Sequence, residues 1–172
     1  MLTVLLECHD NEPELAYTLA VLVSGAVAGL VSDVIILDHG SRDGSSAVAD
    51  AAGCRFTDNL DLQQVLQQAR GEWILLLEPG ARPQAGWIEE IFEYASLGRS
   101  PARFSPSRGF RRPFFQRWTA RRGALELGLL MPKLQAVQMV QPGMRLEALA
   151  KGPKAARLRS ELVPAWVIRQ RR

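Results

Sequence analysis

Short apolar runs alternate with longer amphipathic segments along the first half of the chain. Residues 2–6, 34–37 and 73–77 are almost entirely apolar, as buried strands of a parallel sheet are. A shorter strand is predicted at 53–57. Helices are predicted from about 12 to 28, from 46 to 52, from 60 to 69 and from 84 to 97. Strands separated by helices of this length need crossover connections, so the pattern predicts an α/β fold with a mostly parallel sheet flanked by helices.

Polar segments follow three of these predicted strands. They cover residues 7–11, 38–44 and 78–82. The carboxyl ends of parallel strands meet at one edge of a sheet, and ligands of such sheets bind beyond that edge. The pattern therefore predicts a binding site built from these three segments.

The second half is less regular. A strand is predicted at 125–131, a helix at 146–150 and a final strand at 162–168, followed by a basic tail at 169–172. We interpret the 172 residues as one domain with two parts, 1–98 and 99–172. The second part is a shortened, basic C-terminal half of the same domain.

Charge divides the chain at the same place. Residues 1–98 carry a net charge of −11 and residues 99–172 a net charge of +14, which together give the +3 of the chain. Such asymmetry indicates two surfaces with different partners. Attraction between the two halves is the alternative.

Cysteine content and hydropathy indicate the compartment. Cys8 and Cys54 are too few for a disulfide framework, so we expect reduced thiols. No signal peptide is evident, and no apolar run approaches the roughly 20 residues that span a bilayer. We expect a cytoplasmic protein, with peripheral attachment to the inner membrane as a further hypothesis.

Residues 34–45, V-I-I-L-D-H-G-S-R-D-G-S, form the strongest motif. They resemble the strand-end motif D-x-x-S-x-D-G-T of family two glycosyltransferases. Residues 2–12, L-T-V-L-L-E-C-H-D-N-E, are similar to the first strand of that family, V-S-V-I-I-P-x-x-N-E. Residues 69–80, A-R-G-E-W-I-L-L-L-E-P-G, resemble its A-x-G-x-x-I-x-F-L-D-x-D, and 86–88 fit the helix that follows.

This resemblance implies a GT-A fold of the small bacterial type. It also implies transfer of a sugar from a nucleotide-diphosphate sugar to an envelope or lipid-linked acceptor. It is specific to about residue 92 and looser beyond.

The resemblance assigns the nucleotide to residues at the ends of the first two strands. Asp38 is placed at the base, with Cys8, His9, Asp10, Ser41 and Asp43 around the same pocket. An acidic side chain at a strand end can accept hydrogen bonds from a base or a ribose hydroxyl. The alternative is that Asp38 and Ser41 only cap the next helix.

The family's third element holds a divalent cation, Mg²⁺ or Mn²⁺, with two aspartates. Here those positions are Glu78 and Gly80. Mg²⁺ can be bound through one or two carboxylates together with substrate phosphates. Glu78 is therefore the candidate metal ligand, and the alternative is a solvent-exposed glutamate in a turn.

The family also places an acidic pair in its second half as general base. That pair is absent, and Glu147 lies nearest its position. Glu147 is thus the candidate base that takes the acceptor's proton, against the alternative of a solvated helix glutamate. Because the metal and base positions are incomplete, the second functional hypothesis is a catalytically inactive relative that acts as a scaffold or membrane-associated partner.

An arginine-rich segment, Arg99–Arg122, contains eight arginines and no acidic residue. Five aromatic side chains lie among them. Such a mixture suits an anionic membrane surface, because rings enter the interface while arginines meet lipid phosphates. Docking onto the acidic half is the alternative, and nucleic acid is the weakest candidate because it rests on charge alone.

Overall fold

The computed structural model describes residues 1–98, 100–110 and 123–170. The strands in these ranges are β1 (Leu2–Cys8), β2 (Val31–Asp38), β3 (Arg55–Thr57), β4 (Trp73–Leu77), β5 (Arg82–Pro83), β6 (Ala102–Pro106), β7 (Leu129–Pro132) and β8 (Ala156–Val163). The helices are α1 (Glu12–Val27), α2 (Ser45–Ala51), α3 (Leu62–Gln68), α4 (Trp87–Leu97), α5 (Lys133–Met139), α6 (Leu146–Lys151) and α7 (Trp166–Arg169).

All eight strands form one sheet, in the order β3-β2-β1-β4-β7-β6-β8-β5. The first four in this order are parallel, as the strand–helix alternation predicts. β7 then joins β4 in the antiparallel sense, and β6 is antiparallel to β7 but parallel to β8. The predicted α/β class with a mostly parallel sheet, flanked by helices, is confirmed.

Side chains of the central strands alternate between two cores, one on each face of the sheet. In β4, Leu75 and Leu77 belong to the core under α1 and α4, whereas Ile74 and Leu76 face the core under α3 and α6. Successive side chains of a strand point to opposite faces. A strand that is apolar throughout can therefore be buried on both sides, which explains the continuous apolar runs of the first half.

The N-terminus of α1 is not capped by the residue that precedes it. Asn11 precedes the helix, but its side-chain oxygen accepts from the His9 amide and caps no helical amide. The Glu12 amide instead donates to Asp43 Oδ2 over 2.9 Å. The cap therefore comes from another loop, which a local sequence pattern does not indicate.

The second half departs from two predictions. The strand predicted at 125–131 is a turn followed by β7, and the one at 162–168 is wrong, because β8 ends at Val163 and α7 follows. The predicted helix at 146–150 is confirmed as α6. β5, β6 and α5 were not predicted, since β5 has only two residues and β6 lies within the arginine-rich segment.

No helix within the described ranges is long and apolar enough to cross a membrane. Cys8 and Cys54 are both free thiols. Cys8 is buried at the end of β1, beside the region where the predicted polar segments meet.

Candidate functional site

An open cavity of about 210 Å³ lies where β1, β2 and β4 end. β1 and β2 finish side by side at the paired residues Cys8 and Asp38, and Leu6 pairs with Leu77 near the end of β4. The cavity is lined by Glu7, Cys8, His9, Asn11, His39, Leu77, Glu78, Pro79, Leu125, Arg145, Glu147 and Arg169. It occupies the sheet edge at which the strand pattern predicts a binding site.

Asp38 organises the loop that leaves β2. Its carboxylate accepts the Gly40 and Ser41 amides at 3.0–3.1 Å and the Ser41 hydroxyl at 2.5 Å. α2 begins after Gly44 without a side-chain cap, so Asp38 and Ser41 do not cap that helix. The carboxylate folds its own loop into a tight polar turn at the cavity's edge.

Two further contacts tie this loop to the end of β1. The Ser41 hydroxyl accepts from the Asp10 amide over 3.0 Å and lies 3.7 Å from Cys8 Sγ. Asp10 in turn accepts from the Arg42 amide over 2.7 Å. Cys8, Asp10, Asp38 and Ser41 are thus brought together, as the resemblance implies, and they hold one another by hydrogen bonds.

Asp43 and Glu12 link the same two loops reciprocally. Asp43 accepts from the Glu12 amide, while Glu12 Oε2 accepts from the Gly44 amide over 3.0 Å. Burial acts to raise the pKa of Asp43, but hydrogen bonds from Ser45 and from the Glu12 amide leave that pKa below its ordinary value. Asp43 lies outside the cavity lining, as do Asp10, Asp38 and Ser41, whereas Cys8 and His9 line the cavity.

A second cluster connects the end of β1 to α6. Glu7 Oε2 accepts from Arg145 Nε over 3.2 Å, and Glu7 Oε1 accepts from the Leu146 amide over 2.9 Å. Arg145 Nη2 also lies 3.3 Å from His39 Nε2. Sequence reasoning missed Arg145, which stands in the irregular half, where no motif singled it out. Glu7 was included only as part of the polar segment 7–11.

Glu78 and Glu147, the predicted metal ligand and base, approach each other beside Gly123. A Cβ at Gly123 would lie 3.1 Å from Glu78 Oε1 and 3.8 Å from both carboxylate oxygens of Glu147. Glu147 accepts the Ala124 and Leu125 amides over 2.6 and 3.3 Å. It therefore holds the turn before β7 while lining the cavity.

Arg103 supports this turn from β6. Its guanidinium donates to the carbonyl groups of Ala124, Gly128 and Ala150. Burial lowers the pKa of Arg103, and the nearby negative charge of Glu147 opposes that shift. Of the arginine-rich segment Arg99–Arg122, residues 100–110 are described, and residues 99 and 111–122 lie outside the described residues.

The end of β4 does not match the family's metal site. Gly80 has φ +99°, and a Cβ there would lie 3.2–3.3 Å from the Cα, Cβ and carbonyl oxygen of Ala165. An aspartate would need a left-handed backbone that side chains disfavour and would push against this neighbour. Within 1–98, 100–110 and 123–170, no group of three or more His, Cys, Asp or Glu is arranged to hold a metal. The residues at Glu78 and Gly80 therefore do not fit a two-carboxylate cation site.

Solved structures similar to this chain include a mycobacterial sugar transferase in several complexes. Glucosyl-3-phosphoglycerate synthase from Mycobacterium tuberculosis with Mn²⁺, UDP and glucosyl-3-phosphoglycerate matches at TM-score 0.58 and 16% identity, over 81% of this chain and 59% of its own. Its complex with Mn²⁺, UDP-glucose and phosphoglyceric acid matches at 0.56 and 18%, over 81% and 59%. A further mycobacterial protein matches at 0.59 and 18%, over 81% and 55%.

These similarities confirm the fold that the resemblance implies, which is that of GT-A glycosyltransferases. The chain spans 55–59% of the length of these solved chains. No protein-family model and no curated protein sequence matches it.

Proposed function

We propose that the chain is a glycosyltransferase-like protein that binds a nucleotide-diphosphate sugar in the cavity at the ends of β1, β2 and β4. The observation that carries this proposal is the position of the cavity in a GT-A fold, bordered by the cross-linked loops after β1 and β2. Open parallel sheets bind their ligands at this edge. The proposed reaction delivers the sugar to an envelope or lipid-linked acceptor.

The proposed nucleotide site comprises Cys8, His9, Asp10, Asp38, Ser41 and Asp43. The Asp38 carboxylate already receives three donors from its own loop. A carboxylate has about four lone-pair sites, so one more donor, from the base or ribose, is compatible with this arrangement. Asp43 contributes indirectly, by fixing the loop against α1.

The proposed transfer requires an acceptor oxygen to attack the anomeric carbon while the bond to the nucleoside diphosphate breaks. The acceptor's proton passes to a base. Glu147 is the proposed base, because it lines the cavity. Its carboxylate also receives two backbone amides, which fix its position at the turn before β7.

The second candidate function is a catalytically inactive relative that acts as a scaffold or membrane-associated partner. Gly80 is the observation that favours it. Where the family has a second acidic ligand, this chain has a left-handed glycine in contact distance of Ala165. Such a protein would turn over no sugar donor, with or without nucleotide binding.

Membrane attachment through Arg99–Arg122 is a separate part of the proposal, consistent with a cytoplasmic protein that is peripheral on the inner membrane. It rests on the composition of that segment, eight arginines and five aromatic residues. Flotation with vesicles containing anionic phospholipid checks it. Failure to float with these vesicles at low salt would exclude it.

Calorimetric titration with UDP, GDP and UDP-glucose tests the nucleotide proposal. We expect saturable binding of one nucleotide, weakened by Asp38→Ala and unaffected by Asp58→Ala, an exposed aspartate outside the cavity. Release of free sugar or nucleotide from bound donor, and its loss in Glu147→Gln, would separate the transferase from the inactive relative. Absence of binding to all three ligands would refute the transferase and leave the inactive relative.

A further inference from the structure

Two arginines face the same cavity as the carboxylates. Arg145 precedes α6 and Arg169 ends α7, and both line the cavity. We propose that these guanidinium groups bind the diphosphate of the nucleotide directly, so that nucleotide binding needs no divalent cation. This inference rests on the proposed nucleotide binding and specifies how its charge is neutralised.

Arg145 is held in position before any ligand arrives. Its Nε and Nη2 atoms both lie 3.2 Å from Glu7 Oε2, and Nη2 lies 3.3 Å from His39 Nε2. These contacts fix one edge of the planar guanidinium group. Nη1 makes no hydrogen bond to a residue that the structure describes, and 63% of the side chain is exposed. A fixed fork with exposed N–H groups suits phosphate oxygens.

Carboxylates in the cavity would repel an anion unless their charge is offset. Glu7 is paired with Arg145 and accepts the Leu146 amide. Glu147 accepts two backbone amides and lies near the half-buried guanidinium of Arg103. Glu78 is the third carboxylate, beside Gly123. Two of the three acids are therefore already neutralised in part by donors of the protein itself.

The end of β4 supplies the complementary observation. The two-carboxylate cation site of the family pattern would need an acidic side chain at position 80, and Gly80 cannot be replaced by one without backbone strain and displacement of Ala165. Ala165 directly precedes α7, the helix that places Arg169 at the cavity. The segment that begins at Ala165 therefore occupies the expected metal position and also places the cationic side chain of Arg169 at the cavity.

Calorimetry with UDP and GDP, in EDTA and in MnCl₂, tests the inference on the whole chain. We expect the better nucleotide to bind equally well in both conditions, within about twofold. Arg145→Ala should weaken the diphosphate at least about tenfold, as is typical for loss of hydrogen bonds to a charged group. It should weaken the matching monophosphate less, so that the ratio of diphosphate to monophosphate affinity falls. Arg145→Lys should retain part of the affinity, since it keeps the charge and loses the fork.

Arg157→Ala is the matched control, because it removes an exposed arginine of β8 that does not line the cavity. It should leave both affinities unchanged. Binding that requires Mn²⁺ would overturn this inference and leave the proposed nucleotide binding intact. Equal losses for diphosphate and monophosphate in Arg145→Ala would also overturn it, as they would indicate a general distortion. Absence of binding under both conditions would refute the proposed function itself. The comparison of wild-type nucleotide affinity in EDTA and in MnCl₂ tests the need for a cation even if an Arg145 variant does not fold.

Discussion

The ends of β2 and β4 lie at the same edge of the sheet, yet they compare differently with the glycosyltransferase pattern that the sequence resembles. After β2, Asp38 and Ser41 match the residue types of that pattern and form a closed set of hydrogen bonds. After β4, Glu78 is followed by a left-handed Gly80, at which a Cβ would be in close contact with Ala165. The loop after β2 borders the cavity with polar groups, whereas at the end of β4 Ala165 lies against the position of a second carboxylate.

This difference shows that a residue of a binding motif can have a role in folding. Asp38 orders its own loop, because three donors converge on its carboxylate. Gly80 has no side chain to make such bonds, and its backbone lies against Ala165. The presence of Asp38 is therefore weaker support for ligand binding than the motif alone suggests.

The largest expected effect is at Gly80. Gly80→Ala places a side chain at positive φ and against Ala165, and we expect a loss of about 3 kcal/mol in the free energy of unfolding. Gly53 has φ +70°, and a Cβ at this position would meet no described atom within 4 Å. Gly53→Ala therefore isolates the backbone cost, about 1–2 kcal/mol. Urea unfolding of both variants measures the difference. Equal losses would show that Ala165 does not close this position.

Asp38 comes next. Asp38→Ala leaves two amides and a hydroxyl without their acceptor, and we expect a loss of about 2 kcal/mol. Ser41→Ala removes only the hydroxyl and should cost about 1 kcal/mol. Thermal or urea unfolding of the two variants provides the measurement. An Asp38→Ala protein as stable as the wild type would contradict the folding role and leave ligand binding as the reason for this residue.

Glu90 gives the smallest effect, and it concerns the attachment of β8, the strand that leads to Ala165. Glu90 accepts the Arg159 and Ser160 amides, each over 2.6 Å. Burial acts to raise the pKa of Glu90, but hydrogen bonds from Ser160 and Arg159 and the charge of Arg159 bring that pKa below 4.5. A depressed pKa contributes stability above the unfolded value, and this stability is lost as the pH falls through the folded value.

Glu90→Gln should therefore lower the free energy of unfolding by about 1 kcal/mol at pH 7. The difference from wild type should shrink as the pH falls below 4.5. Glu93→Gln is the control, because Glu93 is 63% exposed and only 3.5 Å from the Arg159 guanidinium, and it should have no measurable effect. Urea unfolding from pH 7 to 3 checks both variants. A difference that stays constant across this range would contradict the ionic role of Glu90.

The parallel part of the sheet was predictable because strands that are buried on both faces have continuous apolar sequences, such as residues 73–77. The loop residues Cys8, Asp10, Asp38 and Ser41 were predictable as a cluster because they follow neighbouring strands. The position of Arg145 in the site was not predictable, because its contact with Glu7 joins residues far apart in the sequence. The strand predicted at 162–168 was wrong because the apolar residues Val167 and Ile168 lie in a short helix, α7, where both side chains are buried.

β5 belongs to the first half of the chain but pairs with β8 of the second, Arg82 opposite Val163 and Pro83 opposite Leu162. This pairing has a kinetic consequence. Contacts between residues distant in sequence form late, because closing the intervening chain costs entropy. During synthesis the parallel strands can assemble first, whereas β5 can pair only after β8 has left the ribosome. The cavity would then be completed only in the last step of folding, when α7 arrives behind β8.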